Sequence, residues 1–375
     1  MRDFLPEEAE RRQRLSGRVL ASMRSFGYTL VVPPAFEFAE VLERGLGALP
    51  PSEVLRFIEP ESGDVAALRP DMTPQIARIL ATRLIDRPPP FRLAYEGTVL
   101  RRRAGRARKH RQLPQVGVEL AGVGGLPGDL EILEVACASL LAAGLDQFTI
   151  DLGDAGVARP LIDALPEDVR ADATSALKAK DADALRGMSS DDSLRTLALA
   201  GNDLTALTSA IGHFSGPTRD ALERLANLHD KAKARGLGAR LSLDLAEVRG
   251  FAYYTGMIFR AYARGPGEAI GAGGRYDALM GRFGAPMPAV GFGLDLDALA
   301  IAVATARPNQ DELERRVLCT GADAEPRARE LRKQGVCAAV IADRDRAKAH
   351  AVAWGYTSVI DGELVIDIAP GEKST

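Results

Sequence analysis

Between Arg249 and Leu299 the chain gathers side chains suited to recognising something small and charged. The stretch reads Arg249-Gly-Phe-Ala-Tyr-Tyr-Thr-Gly256, then Gly271-Ala-Gly-Gly-Arg-Tyr-Asp277, then Ala289-Val-Gly-Phe-Gly-Leu-Asp-Leu-Asp-Ala-Leu299. Glycines at 271, 273 and 274 let backbone approach a ligand closely. Tyr253, Tyr254, Arg275 and Tyr276 beside them supply hydroxyls and a cation. A plainer reading of the same residues is an antiparallel hairpin with a glycine turn.

The rest of the chain limits what such a pocket could serve. With 375 residues, two or three domains and a sizeable core are expected. A net charge of −3 gives no global attraction to nucleic acid or membrane, so any basic surface is local. Cys137, Cys319 and Cys337 are odd in number and embedded in apolar runs, which predicts buried thiols in a reducing compartment and neither a disulfide framework nor a zinc site. The first residues lack the apolar stretch of a signal peptide, and no run of apolar residues is long enough to span a membrane. A cytoplasmic protein without a cofactor is expected.

The elements that position the pocket follow from periodicity and punctuation. Pro6 and the acids after it, with Leu15, Val19, Leu20 and Met23 at helical spacing, predict a helix over 6–25. A hairpin is expected from Val54–Ile58 and Val65–Arg69. Thr73-Pro-Gln predicts a helix to about Leu84 with Thr73 as N-cap. Strands over 91–100 and 115–120 flank a loop, 101–111, that carries seven lysines and arginines. A helix over 129–143 and a strand over 148–152 follow. Residues 158–236 change to helical spacing throughout and read as a helical insertion. Strands return at 240–244, and a helix over 294–304 closes the lobe. After a linker at Pro308, alternating strands and helices predict a small α/β domain. The expected division is 1–310 and 311–375.

Five ordered segments now resemble one family. Leu68-Arg-Pro-Asp-Met-Thr73, Tyr95-Glu-Gly-Thr-Val-Leu-Arg101 running on to Gln115-Val-Gly-Val-Glu119, Arg249 to Tyr254, Gly273 to Asp277 and Val290 to Leu294 resemble the histidyl-tRNA synthetase core in order and spacing. Pro34-Ala-Phe-Glu37 resembles the dimer-forming first motif of the class. The resemblance implies an α+β fold: a class II aminoacyl-tRNA synthetase-like antiparallel sheet flanked by helices, with the helical insertion and the small C-terminal α/β domain attached. It also implies a histidine site. Asp71, Thr73 and Gln115 fall where the family holds the ammonium, Arg249 where it meets the carboxylate end, and Glu119 with Tyr253 or Tyr254 where the imidazole is read. Arg101 stands at the arginine of the second motif. Each has a plainer alternative: Asp71 as a helix cap, Glu119 as partner of an arginine in the 101–111 loop, and either tyrosine as core.

The departures matter as much. Arg103 replaces the glutamate expected to contact adenine, Asp295-Leu-Asp-Ala298 replaces the Gly-Leu-Glu-Arg of the third motif, and Ala252 replaces an aspartate. Asp295 would repel a triphosphate if it faced the site. Loss of one such contact typically costs about 10²–10³ in rate, so adenylation is expected to be negligible. Residues 311–375 are shorter than the family's anticodon-binding domain, and Arg327, Arg329, Arg332 and Lys333 read as a solvated helix face.

This combination resembles the regulatory subunit family of ATP phosphoribosyltransferase, whose members are paralogues of histidyl-tRNA synthetase. The resemblance implies a non-catalytic homodimer within a hetero-oligomer, a short-form catalytic subunit as partner, and histidine as effector. Membrane and nucleic acid are not expected partners. The alternatives are a divergent histidyl-tRNA synthetase or other amino-acid-activating enzyme, and a sensor of uncharged tRNA using the 101–111 loop.

Overall fold

The computed structural model describes residues 3–46, 54–100, 111–189, 192–248, 253–307 and 315–369. The chain divides into two compact units, Met1–Ala306 and Arg307–Thr375.

The first unit opens with α1 (Pro6–Ser25), which buries Leu15, Val19 and Met23, residues spaced one turn apart. β1 (Thr29–Leu30), β2 (Phe36–Phe38), α2 (Ala39–Leu46), β3 (Arg56–Ile58) and β4 (Val65–Leu68) follow, with β2, β4 and β3 forming a three-stranded sheet. Next come α3 (Thr73–Arg83), β5 (Phe91–Leu100), β6 (Gln112–Ala121), α4 (Gly125–Ala142) and β7 (Thr149–Asp154). The segment read as a helical insertion forms α5 (Ala155–Asp163), α6 (Glu167–Ala179), α7 (Ser193–Leu199), α8 (Leu204–His213) and α9 (Gly216–Ala234). β8 (Leu241–Leu243), β9 (Met257–Tyr262), β10 (Gly271–Arg275), α10 (Leu279–Arg282), β11 (Ala289–Asp295) and α11 (Leu296–Ala306) complete the unit.

Eight strands form one sheet in the order β1-β5-β6-β11-β10-β9-β7-β8, antiparallel except for its outermost pairs, β1 with β5 and β7 with β8. Alternation along β6 and β11 decides which side is core. Val116, Val118 and Leu120 on β6 and Val290, Phe292 and Leu294 on β11 are buried in a cluster shared with α1, α4 and α11. Residues of opposite parity, Gln115, Gly117 and Glu119 on β6 with Gly291 and Gly293 on β11, face the other way.

Three readings of the sequence are corrected. The glycines at 271, 273 and 274 lie inside strand β10, between β9 and β11, not in a hairpin turn. Thr73 does not cap α3: the cap position is Met72, and no side chain closes the helix there. Cys137 and Cys319 are buried, but Cys337 is exposed, because it opens an edge strand of the second unit.

That unit contains β12 (Arg316–Thr320), α12 (Ala324–Lys333), β13 (Cys337–Val340), α13 (Ala347–Ala353), β14 (Ser358–Asp361) and β15 (Leu364–Asp367). Its sheet has the order β13-β12-β14-β15, with the first three strands parallel. Before α13 the Asp343 carboxylate accepts the Arg346 N–H in a turn.

Candidate functional site

The side of the large sheet that carries Glu119 has almost no side-chain bulk at its centre. Glu119 on β6 faces Gly291 on β11, which faces Gly274 on β10. A Cβ at 291 would lie 1.9 Å from Glu119 Oε2 and 2.7 Å from the Tyr276 hydroxyl. One step along, a Cβ at Gly117 would meet the Tyr95 hydroxyl at 2.5 Å. Glycine at these positions lets one buried carboxylate and two phenols converge over bare backbone. Gln115, on the same face of β6, is four residues from Glu119, or about 13 Å at ordinary strand rise. Gln115 and Gly293 are partly exposed, so this end of the face opens outward.

Above the face stands the start of α3. The Thr73 hydroxyl donates to Glu119 Oε1 at 2.6 Å, and the Tyr253 hydroxyl donates to Asp71 Oδ2 at 2.9 Å. Asp71 Oδ1 accepts the Met72 N–H at 2.8 Å. Tyr253 also packs edge-on against Tyr276 at 5.6 Å and tilted against Tyr254 at 5.0 Å. Thus Asp71, Thr73, Glu119, Tyr253 and Tyr254 come together, and the capping alternative for Asp71 gives way to a tie between α3 and the tyrosines.

Charge is expensive in this enclosure. Burial pushes the Glu119 carboxyl well above its usual range; the Thr73 hydrogen bond opposes that, and Asp71 adds to it. Burial likewise raises the Tyr253 phenol, with Asp71 next in effect, and the Tyr254 phenol for the same two reasons. Glu119 Oε2 and the Tyr276 hydroxyl have no hydrogen-bond partner among the described residues. The enclosure thus leaves an unpartnered carboxylate oxygen and an unpartnered phenol, groups suited to a polar ligand.

Comparison with known proteins gives this geometry a family. A family model described as histidyl-tRNA synthetase matches residues 1–299. The ATP phosphoribosyltransferase regulatory subunit of Moorella thermoacetica is 38% identical over 96% of this chain and 96% of its own. The chain belongs to the histidyl-tRNA synthetase-like family of ATP phosphoribosyltransferase regulatory subunits. The regulatory subunit of an Anaeromyxobacter species is 40% identical over 79% of this chain and 89% of its own. A crystal structure from Bacillus halodurans, described as an ATP phosphoribosyltransferase regulatory subunit/histidyl-tRNA synthetase, superposes with a TM-score of 0.82 at 28% identity, covering 96% of each chain. The class II synthetase-like fold and the regulatory-subunit resemblance read from the sequence both hold.

Within that family frame, the remaining sequence expectations fall into three groups. Arg101 and Arg249, named as ligand contacts, lie outside the described residues, as do Arg103 and Ala252. Arg275, grouped with the recognition residues, is instead a structural tether: its guanidinium donates to Asp129 at 2.8 Å, to Asp277 at 2.9 Å and to the Gly125 carbonyl at 2.9 Å. Asp295 closes the start of α11, accepting the N–H groups of Asp297 and Ala298 at 2.9 and 3.1 Å. That cap explains why β11 runs to 295 and the helix begins after it, two residues later than periodicity suggested.

Two members of the enclosure were absent from the expected site. Tyr276 was grouped with the recognition residues but given no ligand contact, and Tyr95 was placed only in a strand and a motif. Tyr95 is buried, feels both Glu119 and Asp71, and lies across Gly117 to within 3.4 Å of the Phe292 carbonyl. The sequence signal was the pairing of large phenols with glycines on neighbouring strands, which only the register reveals. A cation also stands nearby: Arg260 on β9 pairs with the buried Glu247 at 3.2 Å and is close enough to affect Tyr254.

Proposed function

We propose that this chain is a non-catalytic regulatory subunit of ATP phosphoribosyltransferase, acting at the first step of histidine biosynthesis, that binds histidine over the Glu119–Gly291 face. Its partner would be the short-form catalytic subunit, itself a glycosyltransferase. The observation that carries the reading is the unpartnered Glu119 Oε2 facing the Tyr276 hydroxyl across Gly291. An imidazole donates its ring N–H to the Glu119 carboxylate, and its other nitrogen accepts from a phenol of the Tyr253–Tyr254 pair. The ammonium turns towards Asp71, Thr73 and Gln115, and the carboxylate towards Arg249, with Arg101 at the open end.

Three features support binding without activation. Ala298 supplies no charge where the third motif of a synthetase carries arginine, and Arg103 stands where a glutamate would meet adenine. The Asp295 carboxylate occupies helix donors that would otherwise be free for a phosphate oxygen. Feedback then arises if histidine favours one state of the assembly over another, since an effector shifts an equilibrium only by its differential affinity. A homodimer is supported by Phe36, Phe38 and Phe57, which share one face of the three-stranded sheet and are 42%, 40% and 37% exposed.

The decisive experiment measures the rate of the catalytic subunit with and without this chain, and then with histidine added. The proposal expects the chain to be required for full rate and histidine to lower it, with both histidine heat and inhibition lost in Glu119→Ala. Histidine-dependent exchange of pyrophosphate into ATP by the chain alone would instead establish a divergent synthetase.

A further inference from the structure

We infer that the second unit carries its own binding site, for a free amino acid, at the carboxyl end of its parallel strands. It is independent of the Glu119 pocket and stands whether or not that pocket binds histidine. A cavity of about 450 Å³ opens between the end of β12, the start of α12 and the β14–β15 turn. That volume lies in the range of small-molecule sites, about 300–1,000 Å³.

Topology puts the cavity where such sheets bind ligands. β12 connects through α12 to β13 on one side, and the chain then crosses to β14 on the other side of β12. The order reverses at β12, and the crevice outside its carboxyl end is the topological switch point of a parallel sheet. Gly321, which follows β12, adopts a φ of +88°, and a Cβ there would meet the Asp361 carboxylate at 2.7 Å. The loop and the β14–β15 turn are thus held close, shaping the cavity mouth.

The lining is built for opposite charges at once. Asp323 precedes α12 but makes no capping hydrogen bond, so its carboxylate is available to a ligand; in the first turn the Ala324 N–H is taken by the Gly321 carbonyl and Pro326 has none, which leaves the Glu325 N–H. Arg327, one turn into α12, and Glu363, in the β14–β15 turn, face the same cavity. None of these three charges has an ion-pair partner among the described residues, whereas Asp361 is taken by Arg344. A second, separate signal is Thr320: it lines the cavity, is 2% exposed, and its hydroxyl has no hydrogen-bond partner among the described residues. Ile360 and Val365 add an apolar wall.

These charges choose among ligand classes. Two carboxylates against one guanidinium leave the lining negative, which repels a phosphate ester of nearly two negative charges. An α-amino acid matches instead: its carboxylate meets Arg327 and the α12 N-terminus, its ammonium meets Asp323 and Glu363, and its side chain lies on Ile360 and Val365.

The test is calorimetric titration of the full chain carrying Glu119→Ala, which disables the first pocket, with each of the twenty L-amino acids and with inorganic phosphate and AMP. At least one amino acid is expected to bind at one site per chain, and Arg327→Ala, at an exposed position, to weaken it tenfold or more. Val365→Trp, which fills the cavity from an exposed strand, is expected to abolish it. Binding by no amino acid, equal affinity in the Arg327→Ala chain, or tighter binding of phosphate or AMP would each overturn the assignment.

Discussion

Glu119 and Gly291 lie directly opposite each other on β6 and β11, and the space a methyl group would need at 291 is already occupied by the Glu119 carboxylate. The glutamate can be buried there only because its neighbour has no side chain. Gly291→Ala therefore forces Glu119 off Thr73 or pushes the strands apart, and overpacking of this kind costs about 1–3 kcal/mol. The expected outcome is a lower denaturation midpoint together with loss of histidine binding. A variant that titrates like the parent would show that the ligand lies elsewhere.

The pH dependence of stability tests the same carboxyl. Its folded pKa is raised by burial above the value of about 4.3 that it has in the unfolded chain. The folded state therefore holds this proton more tightly. Its favourable contribution is complete below about pH 4.3 and is lost as the pH rises from there towards the folded value. Glu119→Gln removes that loss, so the ligand-free variant should lose less stability than the parent over this interval. Denaturant melts at a series of pH values read the difference directly, and parallel curves for the two chains would contradict it.

Histidine binding should also move a proton. An imidazole N–H needs an ionised Glu119 to accept it, so a ligand entering a pocket with a protonated carboxyl releases that proton. Calorimetric heats measured in two buffers of different ionisation enthalpy should therefore differ in the parent and agree in Glu119→Gln. Affinity should rise with pH until the free carboxyl is fully ionised. A heat in the parent that is the same in both buffers would mean that Glu119 is already charged when the ligand arrives.

How much of this could be read from the chain follows from the range of the interactions. The helix α1 was legible because Leu15, Val19 and Met23 repeat locally, and the alternating strands and helices of the second unit for the same reason. The grouping of Asp71 with Tyr253 was legible only through family resemblance, since 182 residues separate them. Tyr95 was missed, and Tyr276 was given no place in the histidine site, because their place depends on register across three strands, which no local pattern encodes. Arg275 misled for the converse reason: its motif looked like recognition, but Asp129, at the start of α4, had claimed its guanidinium.

Asp295 shows how a substitution can suggest one role in sequence and take another in structure. The carboxylate accepts two N–H groups at the first turn of α11, so removing it leaves those donors unsatisfied. Asp295→Ala should cost about 1 kcal/mol, within the 0.5–2 range for lost caps, and Asp295→Asn only a small part of it. Equilibrium denaturation of the three chains measures this order.

The tether at Arg275 carries the largest predicted loss. Its side chain is 6% exposed and its partner Asp129 13%, so Arg275→Ala leaves a carboxylate stranded with little water. Removing one member of a buried pair typically costs about 3–5 kcal/mol. Burial already raises the Asp129 carboxyl, and Arg275 is the main influence holding it down; without the guanidinium, the acid should take up a proton at higher pH. Loss of Arg275 also frees the carbonyl of Gly125, where α4 begins. Thermal melts of Arg275→Ala should fall well below those of Asp295→Ala. The double variant Arg275→Met with Asp129→Leu, which removes both charges and keeps volume, should recover much of the difference. No recovery in that variant would place the cost in the lost hydrogen bonds to backbone rather than in the stranded charge.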